Sequence, residues 1–461
     1  MNSRDAHKDI RPTVALSTLG CKVNQYESAA FQTGFVEKGF TLVPFSQAAD
    51  IYVINTCAVT AKAGAQSRQL IRRALRANPA ARFVVTGCYA QIAADEIRAL
   101  VNGQVAIVGN SSKHLLVETA LAGLAQNRQD DQEEPLGDIR KESDICRLEA
   151  RRFGDRTRAF LRVQDGCNNF CSYCIVPFAR GRSRSLPPAE VLRQAAIFAE
   201  EGYRELVLTG IHVGAYGRDL NPTRHLLDLL CLLVEQIPGM RYRISSLEPT
   251  EISPELLQFM AATKNLMPHL HVPLQSGDND ILKKMNRRYT VEDFNRIVRG
   301  ILSSLTDAAI GVDVLVGFPG EDDHAFGNTL QLLTDLPIAY LHVFPYSKRP
   351  GTVAAGMSGQ VAKKIKEERV ARLRELDHKK RITFYTNQLD TEQRVLVEAD
   401  SRRPGQYRGF TGNYIPVTFS GPPRLGNRLV TVRLRHIAGR RVFSVIREQA
   451  ETQETGQELI L

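Results

Sequence analysis

Residues 166–174 read GCNNFCSYC, which spaces Cys167, Cys171 and Cys174 by four and then three positions. A loop this short can aim three sulfurs at one object. Thiolates are soft ligands that select iron–sulfur clusters, zinc or copper(I). Three ligands are one short of a closed four-cysteine site, so an outside molecule can take the last metal position. The alternative is a zinc knuckle completed by a distant Cys or His, although zinc sites usually come as CxxC pairs. A disulfide reading suits an odd number of cysteines poorly.

A second set of three lies near the N-terminus. Apolar runs at 14–20, 51–56 and 83–87 lead into Cys21, Cys57 and Cys88, with helical patterns at 27–38 and 65–77 between them. Strand–helix alternation implies right-handed crossovers and a parallel sheet. In such a sheet the strand C-termini share one edge, where ligand sites form. Three cysteines far apart in sequence therefore converge on one edge. Buried core cysteines are the alternative, since Cys is often buried. Three at one structural position argue instead for a second three-thiolate site, and so a second cluster.

The CxxxCxxC spacing, with Tyr173 just before the last Cys, resembles the signature of radical S-adenosylmethionine enzymes. That resemblance implies a 4Fe–4S cluster on Cys167, Cys171 and Cys174, with S-adenosylmethionine chelating the fourth iron. Residues 18–28 (TLGCKVNQYES), 55–60 (NTCAVT) and 86–91 (TGCYAQ) are similar to the three ligand segments of the methylthiotransferases, a branch of those enzymes. Within it, GCKVN resembles the members acting on N6-threonylcarbamoyladenosine in tRNA. Members acting on isopentenyladenosine more often show GCQMN there.

The elements that must position these groups resume after a charged, aperiodic stretch at 121–152, which reads as a linker carrying a bystander thiol, Cys146. Strand patterns at 159–164, 205–209, 242–246, 269–273, 311–316 and 340–345 alternate with helical ones at 188–201, 226–236, 254–262, 291–303 and 325–333. Six units are too few for a closed eightfold barrel and suit an open, partial (β/α)6 barrel. Chemistry in barrels collects at strand C-termini, and the three-cysteine loop directly follows the first strand. By resemblance, the glycine-rich loop with Thr209 and Gly210 contacts the methionine amino group, and Glu248 accepts ribose hydroxyls. Likewise Gln275, Ser276, Arg288 and Asp313 face the cavity. His269, His271 and His342 read as satisfied core residues on strands, and Cys231 as core on an apolar helix face. A helix rich in both charges, 363–380, leads into the last domain.

From 388 to 446 the pattern changes to short β runs at 394–398, 407–410, 414–419, 428–434 and 441–445, which suggests a small all-β barrel. This stretch has ten Arg and four Asp or Glu, or 10 − 4 = +6 of the chain's +10. Arg402, Arg403, Arg408, Arg433 and Arg435, with interleaved Tyr407, Phe410, Tyr414 and Phe419, suit RNA binding by charge and stacking. The segment resembles TRAM, a small RNA-binding barrel; a basic packing domain is the alternative.

The expected class is therefore α/β: an N-terminal parallel methylthiotransferase domain (11–120), the linker, a radical S-adenosylmethionine core (153–385) and a TRAM barrel (388–448). The 461 residues, 43% hydrophobic and 24% charged, suit two or three globular domains. The N-terminus shows no signal-peptide pattern and no apolar run spans a membrane, so a cytoplasmic monomer is expected. The resemblance implies a tRNA methylthiotransferase with S-adenosylmethionine and two 4Fe–4S clusters. The first cluster would reduce S-adenosylmethionine to a 5′-deoxyadenosyl radical, and the second, on Cys21, Cys57 and Cys88, would carry the inserted sulfur. Its substrate would be N6-threonylcarbamoyladenosine in the anticodon loop. The same chemistry on isopentenyladenosine tRNA or a ribosomal protein stays open, as does a non-catalytic metal-cluster RNA-binding protein. The electron donor and sulfur donor are not legible.

Overall fold

The computed structural model describes residues 11–101, 105–125, 136–154, 156–399 and 404–447. The first unit is a parallel sheet of five strands in the order Thr41–Leu42, Thr13–Thr18, Ile51–Thr56, Arg82–Gly87, Val105–Val108. The central strand Ile51–Thr56 is buried along its whole length, which is why it reads as a continuous apolar run rather than an alternating one. Helix Ala61–Ala77 starts where the Thr60 side chain accepts a hydrogen bond from Ala63 N–H, an N-cap that satisfies a donor the helix leaves open. The two outer strands are too short to show a period in the sequence.

The core has six parallel strands in two triplets. Arg158–Arg162, Glu205–Thr209 and Arg241–Ile244 form one; His269–Gln275, Ala309–Val316 and Tyr340–Pro345 form the other. Bridges Tyr242↔Leu266 and Ser246↔His271 join the triplets. The outer helices begin at side-chain caps: Ser253 for Pro254–Ala262, Thr290 for Val291–Ser304 and Asp322 for Asp323–Asp335. This is the open (β/α)6 arrangement the sequence implies. Helix Lys363–Thr386 lays Val370, Leu373 and Tyr385 inward, so its charged sequence carries one narrow apolar stripe.

The last unit is a closed barrel in the order Glu392–Ala399, Gln406–Thr411, Pro416–Ser420, Arg441–Ile446, Leu429–Ala438. It docks on the core through two arginines. Arg243 ion-pairs Glu205 at 2.8 Å and donates to the Gly412 and Thr411 carbonyls at 2.8 and 3.4 Å. Arg158 pairs with Glu398 at 2.6 Å.

Three expectations need correction. Cys231 is exposed: helix Leu226–Gln236 buries Leu226, Leu229, Leu230 and Leu233, and a step of one residue turns about 100° away from that face. The described part of the linker, 136–152, is packed, with Ile139, Ile145 and Ala150 buried. The four aromatics assigned to RNA stacking are used internally. Tyr407 and Phe419 are buried and stacked 5.9 Å apart; Phe410 and Tyr414 lie under the guanidiniums of Arg158 and Arg243 at 4.5 and 4.6 Å. No helix among the described residues is long and apolar enough to cross a membrane.

Candidate cluster sites and substrate cavity

Each cysteine set sits where the strands deliver it. Cys21 caps helix Lys22–Glu37, Cys57 directly follows Ile51–Thr56, and Cys88 opens the short helix Cys88–Ile92 after Arg82–Gly87. The three loops touch. A Cβ on Gly20, at φ +95°, would lie 2.8 Å from Cys57 Sγ, so the residue before the first cysteine must be glycine for the sulfurs to gather. In the core, Cys167, Cys171 and Cys174 follow strand Arg158–Arg162. A Cβ on Gly166, at φ +73°, would strike the Arg182 carbonyl oxygen at 1.9 Å. Gln164 ties the loop: its Nε2 donates to the carbonyls of Asp165 and Gly166, and its Oε1 accepts from His212 N–H at 2.7 Å.

All six thiols are free of disulfides. Burial raises that of Cys171, and pushes Cys57 up to about 11 and Cys174 up to about 12. These are protonated thiols that a metal must deprotonate, so loading releases protons. Among the described residues, only His271, Asp313 and His342 bring three ligating atoms within 4.8 Å of one another. A single zinc needs its sulfurs about 3.8 Å apart at a Zn–S distance of about 2.3 Å. Neither cysteine trio is that tight; what each set offers is three thiolates, the ligand type that iron–sulfur clusters take.

One side chain joins the two sets. Arg180 lies six residues after Cys174, on helix Val176–Arg180, and is fully buried. Its Nε donates to Cys88 Sγ at 3.2 Å, and its terminal nitrogens donate to Asn24 at 2.6 Å, Glu27 at 3.0 Å and Asp165 at 2.9 Å. Lys113 supplies a second buried cation to Glu27. Burial alone would raise both carboxyls; the guanidinium outweighs it and holds Glu27 and Asp165 below the usual carboxylate range. Asp165 also accepts from Gly166 N–H at 2.8 Å, one residue before Cys167.

Beside the Cys167 loop a small cavity of about 90 Å³ is lined by Cys171, His212, Glu248, Glu251, Arg287 and Arg288 among others. Arg287 donates to Cys171 Sγ at 3.2 Å and ion-pairs Glu248. Arg288 stays exposed at the rim. His212 lies 2.8 Å from Glu251 and 3.8 Å from Cys167 Sγ. Burial opposes its protonation, but these two partners raise it to about 10. Sequence reasoning missed Arg287, His212 and Glu251; adjacent arginines give no sign of which one turns inward, whereas His212 stood within the glycine-rich loop already noted.

The other candidates spread out. Thr209 is buried at its strand end and Gly210 packs against Gln164. Ser276 is buried against Thr329 at 3.4 Å, and Gln275 sits at a bulge with φ +69°. Tyr173 meets Phe318 edge-on. Asp313 lies 2.7 Å from His271 and 3.3 Å from His342, and those imidazoles outweigh its burial to lower its pKa. His269 is buried on the Tyr340 hydroxyl at 2.8 Å. His271 and His342 instead line a cavity of about 960 Å³ between core and terminal barrel. On the barrel, Arg433 pairs with Glu392 at 3.1 Å, Arg435 with Asp390 at 3.2 Å, and Arg408 is exposed. Arg402 and Arg403 lie outside the described residues.

The Radical SAM superfamily model matches residues 161–333, and Uncharacterized protein family UPF0004 matches 13–109. Over 428 residues the chain is 41% identical to the threonylcarbamoyladenosine tRNA methylthiotransferase MtaB of Bacillus subtilis (strain 168), covering 92% of this chain and 93% of that one. This chain belongs to the radical S-adenosylmethionine methylthiotransferase family. The MtaB of Aquifex aeolicus (strain VF5) is 38% identical over 91% of this chain and 99% of its own. The tRNA-2-methylthio-N(6)-dimethylallyladenosine synthase of Pelotomaculum thermopropionicum is 35% identical over 91% and 96%. Among solved structures, the radical S-adenosylmethionine methyltransferase TsrM from Kitasatospora setae matches with a TM-score of 0.55 at 17% identity, covering 75% of this chain and 77% of that one, a likeness of fold. As a member of the family, this methylthiotransferase is a transferase of sulfur-containing groups that uses S-adenosylmethionine and a 4Fe–4S cluster.

Proposed function

We propose that this methylthiotransferase acts on tRNA, converting N6-threonylcarbamoyladenosine next to the anticodon into its 2-methylthio derivative, with 4Fe–4S clusters at both cysteine sets. The observation that carries this reading is Arg180, one buried guanidinium that contacts a cysteine of one set and the Asp165 shoulder of the other. Two thiol sets held at fixed separation suit a reaction that needs two cofactors around one substrate. The names of the Bacillus and Aquifex relatives supply the substrate. Because one chain supplies both sets, a monomer suffices.

The chemistry requires such help. The C–H at carbon 2 of adenine is neither acidic nor nucleophilic, so positioned acids and bases cannot functionalise it. When bound, the cluster at Cys167, Cys171 and Cys174 supplies one-electron reductive cleavage of S-adenosylmethionine. The chain's own residues bind and shield. Arg287 donates to Cys171 Sγ and His212 sits beside Cys167 Sγ, Gln164 fixes the loop, and the cavity between core and barrel receives a base turned out of its stack. Nucleoside profiling of tRNA from a deletion strain tests the reading. Loss of 2-methylthio-N6-threonylcarbamoyladenosine, with its precursor accumulating, is expected. Loss of the methylthio derivative of dimethylallyladenosine instead would transfer the function to the substrate named for the Pelotomaculum relative.

A further inference from the structure

The larger cavity has a chemical character of its own. Its wall carries Lys22, Arg156, Arg158, Arg243 and Arg381 against a single carboxylate, Glu398. Three of these cations are already engaged. Arg158 pairs with Glu398, Arg243 with Glu205 and Arg381 with Asp377. Lys22 differs. Among the described residues it has no hydrogen-bond or ion-pair partner. It opens helix Lys22–Glu37, where the dipole disfavours a positive charge, and it shares the cavity with Arg158 and Arg243, which repel it, while Asp313 across the barrel and the neighbouring Cys21 attract it. Lys22 is solvent-exposed, so an arriving anion can reach this unpaired cation from the cavity.

Its place in the chain says which anion. Lys22 follows Cys21 directly, so whatever it holds lies beside the second thiol set. On adenine, carbon 2 and the N6 substituent share one edge of the ring. A base with carbon 2 directed at that thiol set therefore presents its N6 substituent to the same neighbourhood. The threonylcarbamoyl substituent ends in a carboxylate, whereas dimethylallyl is uncharged and apolar. An apolar chain placed against Lys22 would displace water from the ammonium without pairing it, whereas a carboxylate would pair it. Resting on the substrate reading above, we propose that Lys22 binds the threonyl carboxylate of the target nucleoside and is the residue that selects this substrate over adenosines with an uncharged N6 chain.

The test is equilibrium binding of anticodon stem-loop hairpin RNAs to the full-length, cluster-loaded protein at fixed salt. Four probes differ only at the target adenosine: threonylcarbamoyl, its methyl ester, dimethylallyl and unmodified. The wild type is expected to bind the acid at least about tenfold more tightly than the ester, as a charge-assisted hydrogen bond implies. Lys22→Gln is expected to bind acid and ester equally, with its affinity for the ester and the unmodified hairpin unchanged; Lys22→Arg is expected to keep the preference. Iron content of each variant, matched to wild type, shows that the neighbouring site is intact. Retention of the acid preference in Lys22→Gln would overturn the assignment. So would an equal loss on all four hairpins, which would place a backbone phosphate on Lys22. If the wild type instead favours the dimethylallyl hairpin, the substrate reading itself fails; if the wild type favours the acid and Lys22→Gln does too, only the role of Lys22 fails.

Discussion

Replacing Arg180 by Met keeps much of the apolar stem of the side chain and removes its charge. The guanidinium is fully buried and satisfies Glu27, Asp165, Asn24 and Cys88. Removing one partner of a buried ion pair costs about 3–5 kcal/mol, because the other charge is left uncompensated. Lys113 remains for Glu27, but Asp165 loses the one ion-pair partner it has among the described residues, so the cost belongs in that range. At about 2–4 °C per kcal/mol for domains of this size, the midpoint should fall by about 6–20 °C. The pH dependence follows from the carboxyls. Both are held below their ordinary values in the folded protein, so their contribution is fully present above about pH 4 and is lost as pH falls through the folded values. Without Arg180, burial dominates and the folded state takes up protons more readily than the unfolded one. The gap between variant and wild type should therefore narrow on acidification. Calorimetry of the full chain at pH 7 and pH 4 measures both. A midpoint within about 1 °C of wild type at pH 7, or a gap that widens with acid, would refute the claim that this guanidinium holds the two units together.

Other perturbations separate the sites. Cys21→Ser and Cys88→Ser should each lower iron to about half of wild type while S-adenosylmethionine cleavage continues and thiolation stops; loss of deoxyadenosine formation would mean the sets are not independent. Arg287→Met strips a donor from Cys171 and leaves Glu248 unpaired, so S-adenosylmethionine cleavage should drop about 10–100-fold, and cleavage at the wild-type rate would remove its assigned role. Arg408→Gln and Arg435→Gln should each reduce the slope of log affinity against log salt for tRNA by about 0.7–0.9; an unchanged slope would show that the barrel's basic surface does not touch RNA phosphates.

Period and spacing made the architecture readable before any coordinates. Strands Glu205–Thr209 and Tyr340–Pro345 and helix Leu226–Gln236 stand where the pattern puts them, because each is a clean apolar run or stripe between turn residues. What the pattern could not give is which way a side chain turns. Arg287 and Arg288 are identical in type and adjacent, and only packing selects the former to face Cys171. Cys231 sits among leucines, yet the helix phase sends it to solvent. The barrel aromatics looked free for bases because composition does not show that Arg158 and Arg243 reach across from the core to cover two of them. Arg180 escaped notice altogether. Its partners come from residues 24, 27, 88 and 165, and no local window contains them.

The central claim is that two independent thiol sets each hold a cluster. Iron and acid-labile sulfide in anaerobically purified protein, measured beside a Cys167→Ala/Cys171→Ala/Cys174→Ala variant, test it most directly. About eight irons falling to about four in the variant is the expected result. About four irons in the parent, or zinc in their place, would contradict it and leave Cys57 and Cys88 as buried core thiols and Cys21 as a surface one.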